Sequence, residues 1–256
     1  MPFSTIVGVD WAATDESKCG LCLATVTDGI LVVDELLTGR EAPTRRSAPL
    51  VANWLCAHPH ALLAIDAPLG WPSNLARAIK SHVAGAPLGA MSASGTFFTR
   101  ETDRFIKRTL GKKPLEVGAD RIARTAFSAL AFVAELRVLT SLPLALSWAA
   151  ADAGIIEVYP AATLKSLSAP STVAPYKKPE QVDARRSIAH LLASHATLSP
   201  AHVEAAIASD HKLDAVLCAL AGHDFIVSRA VGPSADAMDM ARAEGWIWAR
   251  APREAI

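Results

Sequence analysis

The sequence predicts a mixed α/β fold: a sheet whose first three strands are antiparallel and whose later strands run parallel to the first, with flanking helices and a helical insertion. Three observations carry this. The runs Ile6-Val7-Gly8-Val9-Asp10 and Leu62-Leu63-Ala64-Ile65-Asp66 are apolar on both parities, as strands buried on both faces are. The runs at 21–26 and 30–36 are separated by Thr27-Asp28-Gly29, and Asp-Gly in that position signals a hairpin. Helical spacing dominates the rest, without the strict β–α alternation of a dinucleotide-binding domain.

Each element has a local reason. A polar turn at 13–18 follows Asp10 and leads into the hairpin strands. Residues 47–56 read as a short helix, with Leu50, Val51, Trp54 and Leu55 at helical spacing. After the strand ending at Asp66 comes the loop 67–72, then Ser73 as the N-cap of a helix to about residue 82. Residues 84–99 are rich in Gly, Ala, Ser and Pro and read as a flexible connection. A charged helix at 99–110 and a long apolar one at 120–139 follow. Residues 155–159 form a third candidate inner strand, closed by Pro160. Helices near 180–196 and 209–229 precede a last short run, Gly245-Trp246-Ile247-Trp248. The organisation is a single domain over 1–256 with a helical insertion at about 73–150.

Composition excludes several classes. Half of the 256 residues are apolar (51%), which rules out global disorder. The formal net charge is zero, so the whole molecule is no generic polyanion binder, and any nucleic-acid contact needs a local patch. Cys19-Gly-Leu-Cys22 has CxxC spacing, but in a strand that odd step puts the thiols on opposite faces. With no second CxxC or nearby His, all four cysteines (with Cys56 and Cys218) read as buried small hydrophobes in a reducing compartment. The N-terminus shows no signal peptide, and the longest charge-free stretch of the apolar middle, 138–151, is 14 residues and contains a proline. The expectation is a cytoplasmic protein without membrane contact.

The chemistry concentrates at strand ends. Asp10 and Asp66 each close a buried strand at the carboxyl edge, where open α/β sheets place ligands. If the strands are neighbours, the two carboxylates stand about 5 Å apart, and both stay ionised only with a cation between them. Mg²⁺ or Mn²⁺, with oxygen ligands, answers that need. Either Asp taken alone reads more readily as the cap of a turn. A third acidic cluster, Asp210-His211-Lys212-Leu213-Asp214, opens a helix that buries Leu213, Val216, Leu217 and Leu220. Ser209 or Asp210 suits the N-cap, but Asp214 lies too far inside to cap anything. Glu157 either joins this end of the sheet or faces solvent from an edge strand.

The insertion carries a basic stretch. From Arg100 to Arg124 stand eight Lys/Arg against four acids, net +4, and Arg100, Arg104 and Arg108 are candidates to hold a phosphate backbone. Taken alone, the stretch reads better as a solvated helix face held by pairs such as Glu101–Arg104 and Asp103–Lys107.

Val7-Gly8-Val9-Asp10-Trp11-Ala12, Ala64-Ile65-Asp66-Ala67-Pro68-Leu69-Gly70-Trp71-Pro72, Arg100-Glu101-Thr102-Asp103, Glu157-Val158-Tyr159-Pro160-Ala161-Ala162 and Asp214-Ala215-Val216-Leu217-Cys218-Ala219-Leu220 occur in one order along nearly the whole chain. Together they resemble the family catalogued as domain of unknown function 429, described as predicted nucleases with a ribonuclease H-like fold. The resemblance implies a ribonuclease H-like mixed sheet. It also implies an Asp on the first strand, an acid on the fourth and an Asp on a late helix holding two metals, roles that fall on Asp10, Asp66 and Asp214. The spacing His211-Lys212-Leu213-Asp214 is similar to the His-x-x-Asp of Holliday-junction resolvases, and many junction-cleaving enzymes of this fold are homodimers.

The expectation is therefore a Mg²⁺- or Mn²⁺-dependent nuclease, with His211 or Asp210 assisting the three carboxylates and nucleic acid as partner. Two competitors stand beside it. A phosphotransferase of the actin–hexokinase type calls for a Gly beside the first Asp, which Asp10-Trp11-Ala12 lacks, and for a duplicated domain. A non-catalytic binding module would carry the same acids as vestiges.

Overall fold

Asp28 and Gly29 both take positive φ (51° and 78°), the backbone of a two-residue hairpin turn that matches strand twist. They join β2 (Gly20–Thr27) to β3 (Ile30–Thr38), and β2 pairs antiparallel with β1 (Thr5–Asp10). The computed structural model that shows this describes residues 4–86, 95–118, 120–152, 154–167 and 174–251. After α1 (Ser47–Ala57), β4 (Leu62–Asp66) returns parallel to β1. Helices α2 (Ser73–Ile79), α3 (Gly95–Phe98), α4 (Glu101–Leu110) and α5 (Asp120–Thr140) then intervene before β5 (Ile155–Glu157), which is parallel to β4. The chain continues through α6 (Pro160–Leu167), α7 (Val182–Leu192), the two-residue β6 (Ala196–Thr197), α8 (Pro200–Ala208) and α9 (Asp210–Ile226). It finishes with β7 (Ala230–Val231), α10 (Met238–Glu244) and β8 (Ala249–Arg250). The main sheet has the order β5-β4-β1-β2-β3-β6. Its antiparallel opening and parallel remainder are consistent with a ribonuclease H-like fold.

The two faces of the sheet carry separate cores. Ile6, Cys22, Leu62, Ala64 and Ile156 pack against α6, α7 and α9. Val7, Val9, Leu21, Leu63 and Ile65 pack against α1 and α5. Cys19 and Cys22 fall into opposite cores, as the strand parity requires. Cys56 is exposed, a correction to the expectation that all four thiols are buried.

Helix α9 sits directly on the sheet. A Cβ on Gly8 would lie 2.4 Å from the Ala215 carbonyl oxygen and 2.7 Å from the Ala219 nitrogen, and one on Gly20 would overlap the His211 carbonyl. The glycines therefore let the helix backbone touch the strand backbone. From Leu213 to Ile226 every residue of α9 is buried, so the helix is enclosed on all sides, where the sequence indicated one apolar stripe.

Other elements differ from expectation. Ser73 is the first helical residue, not the cap, and α2 ends at Ile79. The third inner strand stops at Glu157, and Pro160 opens a helix instead of merely closing the strand. α8 was also missed, although Ser199 caps it and Pro200 occupies its first position. The connection read at 84–99 lies mostly outside the described residues, and its last part is α3. Among the described residues no helix is long and apolar enough to cross a membrane.

Candidate functional site

The register of β1 against β4 pairs Asp10 with Asp66. Two carboxylates thus leave neighbouring parallel strands side by side, about one strand spacing, 4.8 Å, apart at the backbone. The seating of α9 on Gly8 brings Asp214 to the same place. Ser209 caps α9 by accepting the Lys212 N–H, so Asp210 and His211 occupy its first turn. His211 Nδ1 lies 2.5 Å from Asp10 Oδ2. Asp214 is almost wholly buried (1% exposed), with Oδ1 accepting from the Tyr176 hydroxyl at 2.7 Å and Oδ2 paired with Lys177 Nζ at 2.7 Å.

Burial and crowding set the electrostatics. Desolvation, then the charge of Asp10, pushes Asp214 up to about 6 and Asp66 well above the usual carboxylate range. Burial alone would lower Lys177, but the carboxylates of Asp214, Asp10 and Asp66 outweigh it and raise the ammonium's pKa. The hydrogen bond to Asp10 raises His211 in the same sense. Burial, and then the negative charge of Asp214, raises the Tyr176 hydroxyl.

Asp10, Asp66 and Asp210 line a cavity of about 1080 Å³, and Asp214 lies behind Tyr176 and Lys177, which line it too. Its lining includes Lys112, Lys113, Lys165, Lys177 and Lys178, together with Trp11, Tyr159 and Tyr176. Lys112 and Lys113 belong to the basic stretch read from the sequence, whereas Tyr176, Lys165, Lys177 and Lys178 had drawn no role there. A usable signal was present, since the chain has only two tyrosines and both line this cavity. Arg185, itself buried, holds the segment that carries Tyr176 and Lys177. Its guanidinium donates to the carbonyls of Tyr176, Lys178, Pro179 and Ile207 at 2.7–3.1 Å.

The arginines of the insertion do something else. Arg100 is 1% exposed, and all five of its N–H groups are engaged. They reach both oxygens of Asp103, both oxygens of Glu157 and the Glu244 carbonyl. Nothing remains to hold a phosphate, which corrects the substrate-binding role expected of Arg100. Arg104 and Arg108 both pair with Glu101, the solvated-face alternative. Glu157 lines the same cavity as Asp10 and Asp66, but its carboxylate is taken up by Arg100 and by the Leu69 N–H. The Glu244 carboxylate accepts the N–H groups of Ser73 and Glu101, tying the starts of α2 and α4 to the C-terminal region.

A family model described as "Protein of unknown function (DUF429)" matches residues 8–236. The chain belongs to that family. No curated protein and no solved structure matches it.

Whether the site of this DUF429 member suits a divalent cation turns on its donors. Two carboxylates at adjacent strand ends and a third on α9, with Asp66 and Asp214 raised by burial and then by the charge of Asp10, are hard oxygen donors. Among the described residues no group of three or more His, Cys, Asp or Glu side chains stands arranged to hold a metal ion. Asp214 is engaged by Tyr176 and Lys177, and Asp10 by His211. The donor chemistry fits Mg²⁺ or Mn²⁺, and Asp10, Asp66 and Asp214 are the residues that would hold it.

Proposed function

We propose that this DUF429 member is a divalent-metal-dependent nuclease, hydrolysing phosphodiester bonds of a nucleic acid at Asp10, Asp66 and Asp214. The observation that carries the reading is the division of charge within one cavity. An acidic floor suits Mg²⁺ or Mn²⁺, and a rim bearing Lys112, Lys113, Lys165 and Lys178 suits a polyanionic strand. The bound ions would supply charge stabilisation at the phosphoryl group and a more acidic water.

The chain's own residues do the rest. Lys112 and Lys113 follow α4, Lys165 belongs to α6 and Lys178 precedes α7, so cations meet the strand from separate parts of the fold. Such contacts position the backbone and carry no sequence information, so the substrate class is set by phosphate and shape. His211 is oriented through Nδ1 by Asp10, and among the described residues no bond engages Nε2. That nitrogen is the atom that would exchange a proton with the leaving oxygen. Asp210, in the same turn, adds negative charge that favours the protonated ring. Four free cysteines support a cytoplasmic place of action.

The test is cleavage of end-labelled DNA and RNA oligonucleotides with Mn²⁺, Mg²⁺ or EDTA. Wild type is expected to cut only with metal, and Asp10→Asn to lose at least about a hundredfold in rate while keeping its circular dichroism. Equal cutting by Asp10→Asn, or cutting in EDTA, refutes the reading.

A further inference from the structure

The molecule neutralises buried carboxylates in two ways, and the contrast is informative. At Asp103 and Glu157 the cation is Arg100, 1% exposed, with every N–H bonded. That cation is locked. At Asp214 the cation is Lys177, whose side chain is 57% exposed although the carboxylate it reaches is 1% exposed. Its Nζ has no second acceptor among the described residues, and the Tyr176 ring lies 5.9 Å away, a marginal cation–π distance. A flexible, strongly hydrated ammonium held through a single charged hydrogen bond can leave.

The backbone beneath it cannot follow. Arg185 ties the carbonyls on both sides of Lys177, at Tyr176 and Lys178, and a third at Pro179. A released Lys177 head therefore stays within a side chain's length of Asp214, still on the cavity wall. The ammonium stands where the carboxylates most need positive charge: Asp214, Asp10 and Asp66 all act on it.

Building on the nuclease reading, we propose that Lys177 is a displaceable internal counter-ion. It holds Asp214 in the metal-free protein, yields that carboxylate to the entering divalent cation, and then contacts the substrate phosphate. Arg185 is the positioning residue that keeps the released ammonium in range. The exchange is a swap of partners and requires no covalent step. It gives the empty site a charge state that the fold tolerates, and links metal loading to the appearance of a phosphate ligand.

The experiment is Mn²⁺ titration by calorimetry at pH 7.5, with cleavage of a single-stranded oligonucleotide measured on the same preparations. The variants are Lys177→Met, Lys177→Gln and Asp214→Asn, each checked for folding by thermal melt. If Lys177 competes with metal, both Lys177 variants bind Mn²⁺ about tenfold or more tightly than wild type, because one repelling charge has gone. Their cleavage rate at saturating Mn²⁺ nevertheless falls by about tenfold or more, because the phosphate contact has gone. Unchanged or weaker Mn²⁺ binding in both variants overturns the counter-ion role. Tighter binding with undiminished cleavage overturns the phosphate contact. If wild type and Lys177→Met both fail to bind Mn²⁺, the metal reading itself falls and takes this one with it. Binding by wild type that is lost in Asp214→Asn and unaltered in Lys177→Met removes only the present proposal.

Discussion

Arg100→Met separates a structural arginine from a substrate-binding one. The substitution keeps a long apolar stem but removes four hydrogen bonds to carboxylates, two at Asp103 and two at Glu157, and one to a carbonyl. Both carboxylates stay buried, at 2% and 3% exposure, without their cation. Breaking a buried pair by deleting one partner costs about 3–5 kcal/mol, because the remaining charge is uncompensated. For a chain of this length each kcal/mol lowers Tm by about 2–4 °C, so a drop of about 6–20 °C is expected. The loss should depend on pH. Glu157 is already raised by burial, against the opposing pull of Arg100, and it rises further once the guanidinium is gone. A carboxyl whose folded pKa lies above its unfolded one favours the folded state at low pH and loses that contribution as pH rises through the folded value. The gap between variant and wild type therefore narrows from pH 7.5 toward pH 5, and adding Glu157→Gln recovers part of it at neutral pH. Thermal melts across that range are the assay. A variant as stable as wild type at pH 7.5 that has lost nucleic-acid binding would refute the assignment.

Three further outcomes follow from the same geometry. Gly8→Val should cost about 1–3 kcal/mol or more in urea unfolding, since its Cβ would meet backbone atoms of α9 that cannot rotate away. Asp214, raised to about 6 and above its unfolded value, favours the metal-free fold below about pH 4 and loses that contribution as pH rises through 6. Melts of wild type should thus show a decline from about pH 4 to about pH 7 that Asp214→Asn reduces. Single Lys→Ala changes at Lys112, Lys165 or Lys178 should each flatten the logarithmic salt dependence of single-strand binding by about 0.7, the contribution of one released counter-ion. An unchanged slope for all three would remove the lysine rim from the interface.

The floor of the site was legible because strands advertise their ends. A run buried on both faces that stops at an acid, twice, placed Asp10 and Asp66, and the structure sets them in register. Asp214 was legible as a carboxylate with no capping duty. What the sequence did not reveal is which acids have a private cation. Arg100 and Glu157 are 57 positions apart, and nothing local says that one neutralises the other. The same limit hid Lys177, 37 residues before its carboxylate and in a segment with no periodicity of its own. Local signals that did exist were also overlooked: Ser199-Pro200 starts a helix by the ordinary rule of a capping hydroxyl followed by proline.

Glu244 has a consequence in time as well as in space. Its carboxylate receives the first N–H groups of two helices synthesised 171 and 143 residues earlier, and its carbonyl receives Arg100. As the chain emerges from the ribosome, the sheet edge bearing Asp10 and Asp66 can assemble long before residue 244 is made. The starts of α2 and α4 have to wait for it. The helical wall is thus clasped late, by a glutamate made 171 and 143 residues after the helix starts it holds, and a nascent chain carries an acidic edge well before it carries a finished cavity.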